Sequence, residues 1–236
     1  MPLALGFVGA DGNSVVLNQS DVTSDGAVTL RDSRETVLLE AKESEHELRI
    51  NNLPAKPVVS FLREFSAPVK VSHQRDAEEL AFLVEHDTDG FVRWDAMQTL
   101  WMEHFDTNIN ATVDPVATLG GLAKGALALE TPEQQMLAAT MLAVPNENYL
   151  FEQLRGFDVD ALLDARDAAV ENAAQAHVQT WEALVAMHDS GQAYQADSSG
   201  MARRALGKTA FSYLAKTQTG AVLEELLQTC LLYTSD

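Results

Sequence analysis

The chain has 236 residues, 46% hydrophobic but only 7% aromatic, with 16 Lys+Arg against 35 Asp+Glu for a formal net charge of −19. That length allows two modest cores, and the composition is that of a globular protein. The negative surface repels phosphate backbones and no basic stripe offsets it, which excludes nucleic acid. No run of roughly 18 apolar residues offers a membrane span, and the first residues lack the basic start of a secretory signal.

Up to about residue 73 the signals are those of strands. Residues 3–8 are apolar, and Asp11-Gly12 within 9–13 is turn chemistry, because glycine accepts positive φ without a Cβ penalty. Residues 14–18 are expected to return as the second arm of a hairpin. Residues 27–30, 35–40 and 45–51 alternate apolar and polar positions, with Leu48 and Ile50 on one face and Glu47 and Arg49 on the other. Pro54 and Pro57 bracket a loop, and 58–65 and 68–72 complete the strand set. Short antiparallel-compatible strands at this spacing predict a small sandwich.

Beyond His73 the period becomes helical. Residues 76–86 place Leu80, Leu83 and Val84 on one face. Residues 91–105 repeat the pattern with Phe91, Trp94, Met97, Leu100, Trp101 and Phe105. The stretch 108–128 is small and glycine-bearing, and its structure is left open. Thr131-Pro132-Glu133-Gln134 starts a helix to about Leu142, with a threonine cap, proline first and glutamine three after the cap. One long helix is expected over 160–189, buried along Leu163, Val170, Ala173, His177, Trp181 and Leu184. Ser198-Ser199-Gly200 precedes a helix over 201–214, and 222–227 starts another. Short helices with short connections stack as pairs in an α-solenoid.

Candidate catalytic and metal residues fail on spacing. A zinc peptidase helix needs His-Glu-x-x-His, which sets two imidazoles one turn apart and a glutamate between them as base. The sole His-Glu pair, His46-Glu47, is followed by Ile50 where the second histidine must stand, in a stretch read as strand. His86, Asp87, Asp89 and Asp95 superficially suggest a calcium loop. Counted from Asp87, however, the sixth and twelfth positions are Val92 and Gln98 rather than Gly and Glu. Asp87 and Asp89 are read instead as helix caps, with Gly90 relieving the backbone. His86, His104, His177 and His188 are scattered over helices. The serines lack a Gly-x-Ser-x-Gly setting. Arg203-Arg204 is the best candidate for a functional charge, against the plainer reading as surface residues early in a helix.

The single cysteine, Cys230, permits no internal disulfide and fits a reducing, cytoplasmic compartment. Residues 230–236 (CLLYTSD) read as the translation of a sequencing adapter, so the native sequence is expected to end at Thr229.

Seven stretches carry a family resemblance: PLALGFVG at 2–9, LPAKPV at 53–58, FSAPVKV at 65–71, HDTDGFVRWDAMQ at 86–98, VPNENYLFEQL at 144–154, DVDALLDARDAAV at 158–170 and ARRALGKTAFSYL at 202–214. Together they resemble the aminopeptidase N family of zinc metallopeptidases, bacterial alanyl-aminopeptidase type. Within the family Arg93-Trp94 follows the same aspartate-rich turn, although Gly90 stands where proline is common, and 108–128 matches poorly.

The resemblance implies α+β by segment: an N-terminal immunoglobulin-like β-sandwich over 1–73, begun inside a strand, then an all-α solenoid-like helical-repeat domain over 74–229, cut short at its end. It further implies the non-catalytic downstream part of an enzyme that uses zinc to remove N-terminal residues from peptides. There the sandwich links and the helical domain caps the active site. The partners are then peptide substrates, with no nucleic acid and no membrane. No catalytic or metal residue carries over to this chain, its substrate-binding residues stay undefined, and the fragment itself is expected to bind no zinc and to be inactive alone. The reading frame upstream is expected to encode Gly-x-Met-Glu-Asn and His-Glu-x-x-His. The alternative is a stand-alone sandwich-plus-helical-repeat interaction module without enzymatic activity.

Overall fold

The structure is a computed structural model, and it describes residues 1–53, 55–72, 75–188 and 196–217. Pro54, His73, the helix expected over 222–227 and the tail with Cys230 lie outside the described residues. Two compact units are present, Met1–Leu100 and Trp101–Asp236.

Among the described residues the first unit holds six strands: β1 Pro2–Val8, β2 Val22–Ser24, β3 Ala27–Arg31, β4 Thr36–Glu40, β5 Leu48–Ile50 and β6 Val58–Phe61. They form a four-stranded antiparallel sheet in the order β3-β4-β1-β6 and a two-stranded sheet of β2 and β5. Phe7, Leu17, Val22 and Val37 make the dry centre between the sheets, with Val28, Leu48, Ile50 and Val59 packed against them. Leu48 and Ile50 do share that inner face while Arg49 stays exposed.

Four strand expectations are corrected. Residues 14–18 form no strand, only a bridge between Ser14 and Val8, because β4 already pairs with β1 from Pro2 to Gly6 and leaves two residues of that edge. The 45–51 strand shrinks to Leu48–Ile50, so His46 precedes it. The 58–65 strand ends at Phe61, where Leu62 turns left-handed (φ 59°) into a 3₁₀ turn at Arg63–Phe65. Residues 68–72 are irregular and pair with no strand. The sequence reading missed β2, three residues whose central Thr23 pairs with Arg49 of β5, 26 positions away.

Two helices belong wholly or largely to this unit. In α1, Ala77–His86, Asp76 caps by accepting the Glu79 N–H at 2.8 Å, and Leu80, Leu83 and Val84 are buried as expected. The second, α2, Gly90–Phe105, runs across the division between the units. Its buried stripe is Val92, Ala96, Met97, Leu100, Trp101 and Phe105; Phe91 and Trp94 are only half-buried. Gly90 needs no unusual backbone, since it is not among the residues with positive φ.

The second unit contains α3 Pro115–Ala126, α4 Pro132–Met141, α5 Glu147–Gln153, α6 Val159–Ala176, α7 Val178–His188 and α8 Ser198–Leu214. Side chains of Asp114, Thr131, Asn146, Asp158 and Asp197 cap five of these helices, each accepting a backbone N–H in the first turn. Thr131 and Pro132 sit as the sequence reading places them, whereas α5 was missed although Asn146 signals it. Ser198–Gly200 lies inside α8 rather than before it, because Asp197 caps three residues earlier. The helix α8 packs along α4 and α7, and α3 along α6, which gives stacked helical layers.

The expected helix over 160–189 is two helices. His177 leaves the helical region (φ −129°, ψ 27°). The Trp181 indole N–H donates to the Ala173 carbonyl at 3.0 Å and so satisfies an acceptor at the broken helix end. The imidazole of His177 turns to the Val116 carbonyl (3.2 Å) across α3, where a Cβ on Gly120 would lie 2.1 Å from the ring. Gly120 thus explains the small-residue stretch that the sequence left open: it admits the histidine. The buried stripe is accordingly shifted to Leu162, Ala169, Ala173, Ala174, Trp181 and Leu184, with Leu163, Val170 and His177 half-buried.

Candidate functional site

The most elaborated polar site in the first unit centres on Arg63, whose side chain is 7% exposed. Residues 62, 64 and 65 all take positive φ (59°, 56° and 51°), a costly conformation for non-glycine residues that turns Arg63 inward. The guanidinium lies over β1, where a Cβ on Gly6 would approach it to 2.8 Å. It donates to Thr36 Oγ1 (2.8 Å), Thr88 Oγ1 (2.5 Å) and the Asp87 carboxylate (3.3 Å). Asp89 fixes the opposite side, accepting the Glu64 N–H (2.8 Å) and the Val92 N–H (2.9 Å). Asp87 accepts the Asp89 N–H at 2.8 Å.

Both aspartates therefore serve as caps and clasps, and the sequence reading of them as caps was sound. Nothing in the sequence points to Arg63, because the strand expected over 58–65 runs straight through it. A cavity of about 410 Å³ opens beside the cluster, bordered by Arg31 and Arg63 and by the carboxylates Asp32, Glu35, Glu64 and Asp89.

The other candidate residues diverge. His86 packs on the Gly12 turn and on Phe82 (4.5 Å), while Asp95 pairs with Arg75 at 3.7 Å. With Asp87 on Arg63, these four residues cannot share an ion. His46 lies between Asp25 and a backbone loop: Nδ1 is 3.0 Å from Asp25 Oδ1, and Nε2 accepts the Lys42 and Glu43 N–H groups at 2.9 and 3.1 Å. His104 is exposed, His177 faces Val116, and His188 ends α7. Among the described residues no three of His, Cys, Asp and Glu converge on a point that could hold a metal, so the residues present do not fit a zinc site. Phe91 and Trp94 contact each other at 6.2 Å and Trp101 stacks on Phe105 at 5.7 Å, in two separate aromatic sets. Arg203 and Arg204 are half-buried on α8, and neither is without an interaction.

Surface hydrogen bonds set an acid limit on the sandwich. The carboxyls of Asp11, Asp21 and Asp25 are held below the usual carboxylate range, chiefly by hydrogen bonds from the side chains of Asn13, Asn52 and His46 respectively. A lowered value in the folded state gives stability that is complete above the unfolded carboxylate pKa of about 3.9 and is lost as pH falls through the folded value. The contribution of these three carboxyls to the melting temperature should be constant above that pH and fall below it. Asp25→Asn should flatten part of the fall; an unchanged acid profile in circular-dichroism melts would refute the assignment.

An antiparallel two-sheet sandwich followed by stacked helices defines the class: an immunoglobulin-like domain joined to helical repeats. Residues 1–74 match the family model described as Domain of unknown function (DUF3458) Ig-like fold, and 77–231 match the one described as Domain of unknown function (DUF3458_C) ARM repeats. The chain belongs to this family.

It is 27% identical over 188 residues to Aminopeptidase N of Escherichia coli (strain K12), covering 77% of this chain and 21% of that one. Identity is 31% over 195 residues to Aminopeptidase N of Caulobacter vibrioides, covering 78% and 21%. The resemblance read from the seven stretches is borne out. The chain spans about a fifth of the length of these curated relatives. Its fold also matches the crystal structure of Legionella pneumophila aminopeptidase A in complex with aspartic acid, with a TM-score of 0.71 at 18% identity, over 98% of this chain and 25% of that one.

Proposed function

We propose that this chain is the non-catalytic downstream part of a zinc aminopeptidase that removes N-terminal amino acids from peptides. The observation that carries the reading is its alignment with two proteins named Aminopeptidase N over more than three quarters of its own length. Residues 1–73 form the linking sandwich and 74–229 the helical domain that caps the active site. The catalytic zinc, its ligands and the peptide-cleaving groups belong to another part of the enzyme, because His46-Glu47 lacks its second histidine and packs against Asp25 instead. We place the enzyme in the cytoplasm, a reading supported by the lack of a cysteine pair in residues 1–229.

The purified 236-residue chain, washed with chelator and resupplied with zinc, should retain no stoichiometric metal and release no chromophore from an alanyl chromogenic substrate. A polypeptide that adds a His-Glu-x-x-His domain ahead of it should do both. Turnover by the 236-residue chain alone would refute its catalytic silence, and silence of the longer polypeptide would refute the peptidase assignment.

A further inference from the structure

A groove of about 570 Å³ runs between α4, α6 and α8, within the range of about 300–1,000 Å³ usual for small-molecule sites. It reverses the sign of the molecule. Arg166, Lys208 and Lys216 line it against one carboxylate, Asp167, in a chain with 16 Lys+Arg and 35 Asp+Glu. The cavity beside Arg63 shows the opposite ratio, two arginines to four carboxylates. Concentrated cations in a concave, partly apolar wall focus the field on an incoming anion.

The donors available there narrow the ligand. Thr140, Thr209 and Ser212 already donate their hydroxyl hydrogens to the carbonyls of Met136, Ala205 and Thr209. The Tyr213 hydroxyl donates to the Leu142 carbonyl at 2.7 Å. Arg166 is anchored by its Nε on the Pro145 carbonyl (2.8 Å) and by Nη1 near Asp167 (3.4 Å). Lys208 and Lys216 are exposed and form no ion pair among the described residues. Anion binding therefore rests on two flexible ammonium groups and the rest of Arg166, too few fixed donors to enclose a phosphate. The floor is apolar: Met136, left 38% exposed, with Val144 and Val170.

We propose that this groove binds a small amphiphilic carboxylic acid: an apolar body on the Met136 floor, one carboxylate at Lys208 and Lys216, and no free ammonium, which the same cations would repel. The proposal stands independently of the peptidase reading.

The test is an NMR titration of the ¹⁵N-labelled 236-residue chain with N-acetyl-leucine, N-acetyl-leucinamide, octanoate, N-acetyl-Gly-Gly-Leu and inorganic phosphate. The acids should shift the signals of Thr140, Lys208, Thr209 and Ser212 saturably. The amide should bind at least tenfold more weakly, and raised salt should weaken the acids. The Lys208→Glu/Lys216→Glu double variant, altered only at exposed positions and checked by circular dichroism, should lose at least tenfold in affinity. Both acid sources support the site: tighter octanoate assigns it to free acids, a tighter tripeptide to peptide ends. Equal binding of acid and amide, binding of phosphate alone, or an unaffected double variant would overturn it.

Discussion

Arg63→Ala should destabilise the sandwich unit by about 3–5 kcal/mol, the usual consequence of removing one partner from a buried ion pair. Asp87 has a side chain with 0% exposure, and without the guanidinium its charge would stand buried and unmatched. Thr36 and Thr88 would lose their donor in the same step, and the inward turn at Leu62–Phe65 would keep its backbone strain with less to hold it. The salt bridge is imperfect all the same. Among the described residues, Arg63 Nε and Asp87 Oδ2 each lack a hydrogen-bond partner. Replacing both residues, as in Arg63→Met/Asp87→Leu, should therefore restore most of the loss, since apolar isosteres of buried pairs are often neutral or stabilising by about 1–4 kcal/mol. Urea unfolding of the two variants decides. A single variant within 1 kcal/mol of the parent would show that the pair is solvated and energetically idle. The double variant also tests whether the buried charge contributes specificity rather than stability.

Trp181→Ala should cost the helical unit about 3–5 kcal/mol, typical for truncating a fully buried tryptophan. Its ring has 0% exposure and stacks on Tyr213 at 4.4 Å with planes 12° apart. Two contributions are separable. Trp181→Phe keeps much of the stacking but removes the indole donor from Ala173, leaving a buried carbonyl unpaired at about 1–3 kcal/mol. The difference between the two variants then reads the packing. Thermal unfolding followed at 222 nm checks both; a phenylalanine variant as stable as the parent would mean that the helix break at His177 is capped without the indole. Tyr213 reports from the other side of the stack. Burial pushes its phenol above the ordinary tyrosine value, and its hydroxyl stays a donor to Leu142.

Several features were legible because their causes lie within a few residues. The alternation of Leu48, Arg49 and Ile50, the Asp11-Gly12 turn and the cap at Thr131 are local hydrogen-bonding and periodicity effects. The absence of a His-Glu-x-x-His pair was equally plain, because ligand spacing on one helical turn is a sequence property. The cap reading of Asp87 and Asp89 followed from the same kind of reasoning, yet it missed the more consequential contact, Asp87 with Arg63, 24 positions back.

The sequence by itself determined where strand chemistry gives way to helix chemistry, that one helix begins at the Thr131 cap, and which family the motifs resemble. Tertiary structure alone decided which segments found a strand edge to pair with, against the sequence expectation in both cases. Residues 14–18 failed because β4 occupied that edge of β1, and β2 formed because β5 was free to meet it. It also decided that the 160–189 segment breaks at His177, where a glycine on α3 leaves room for an imidazole and an indole supplies the missing donor. The sign-reversed groove arises in the same way, from Arg166 on α6, Lys208 within α8 and Lys216 just beyond it. Such choices depend on competition for space and hydrogen-bond partners between segments distant in the chain, and no local pattern encodes which competitor wins.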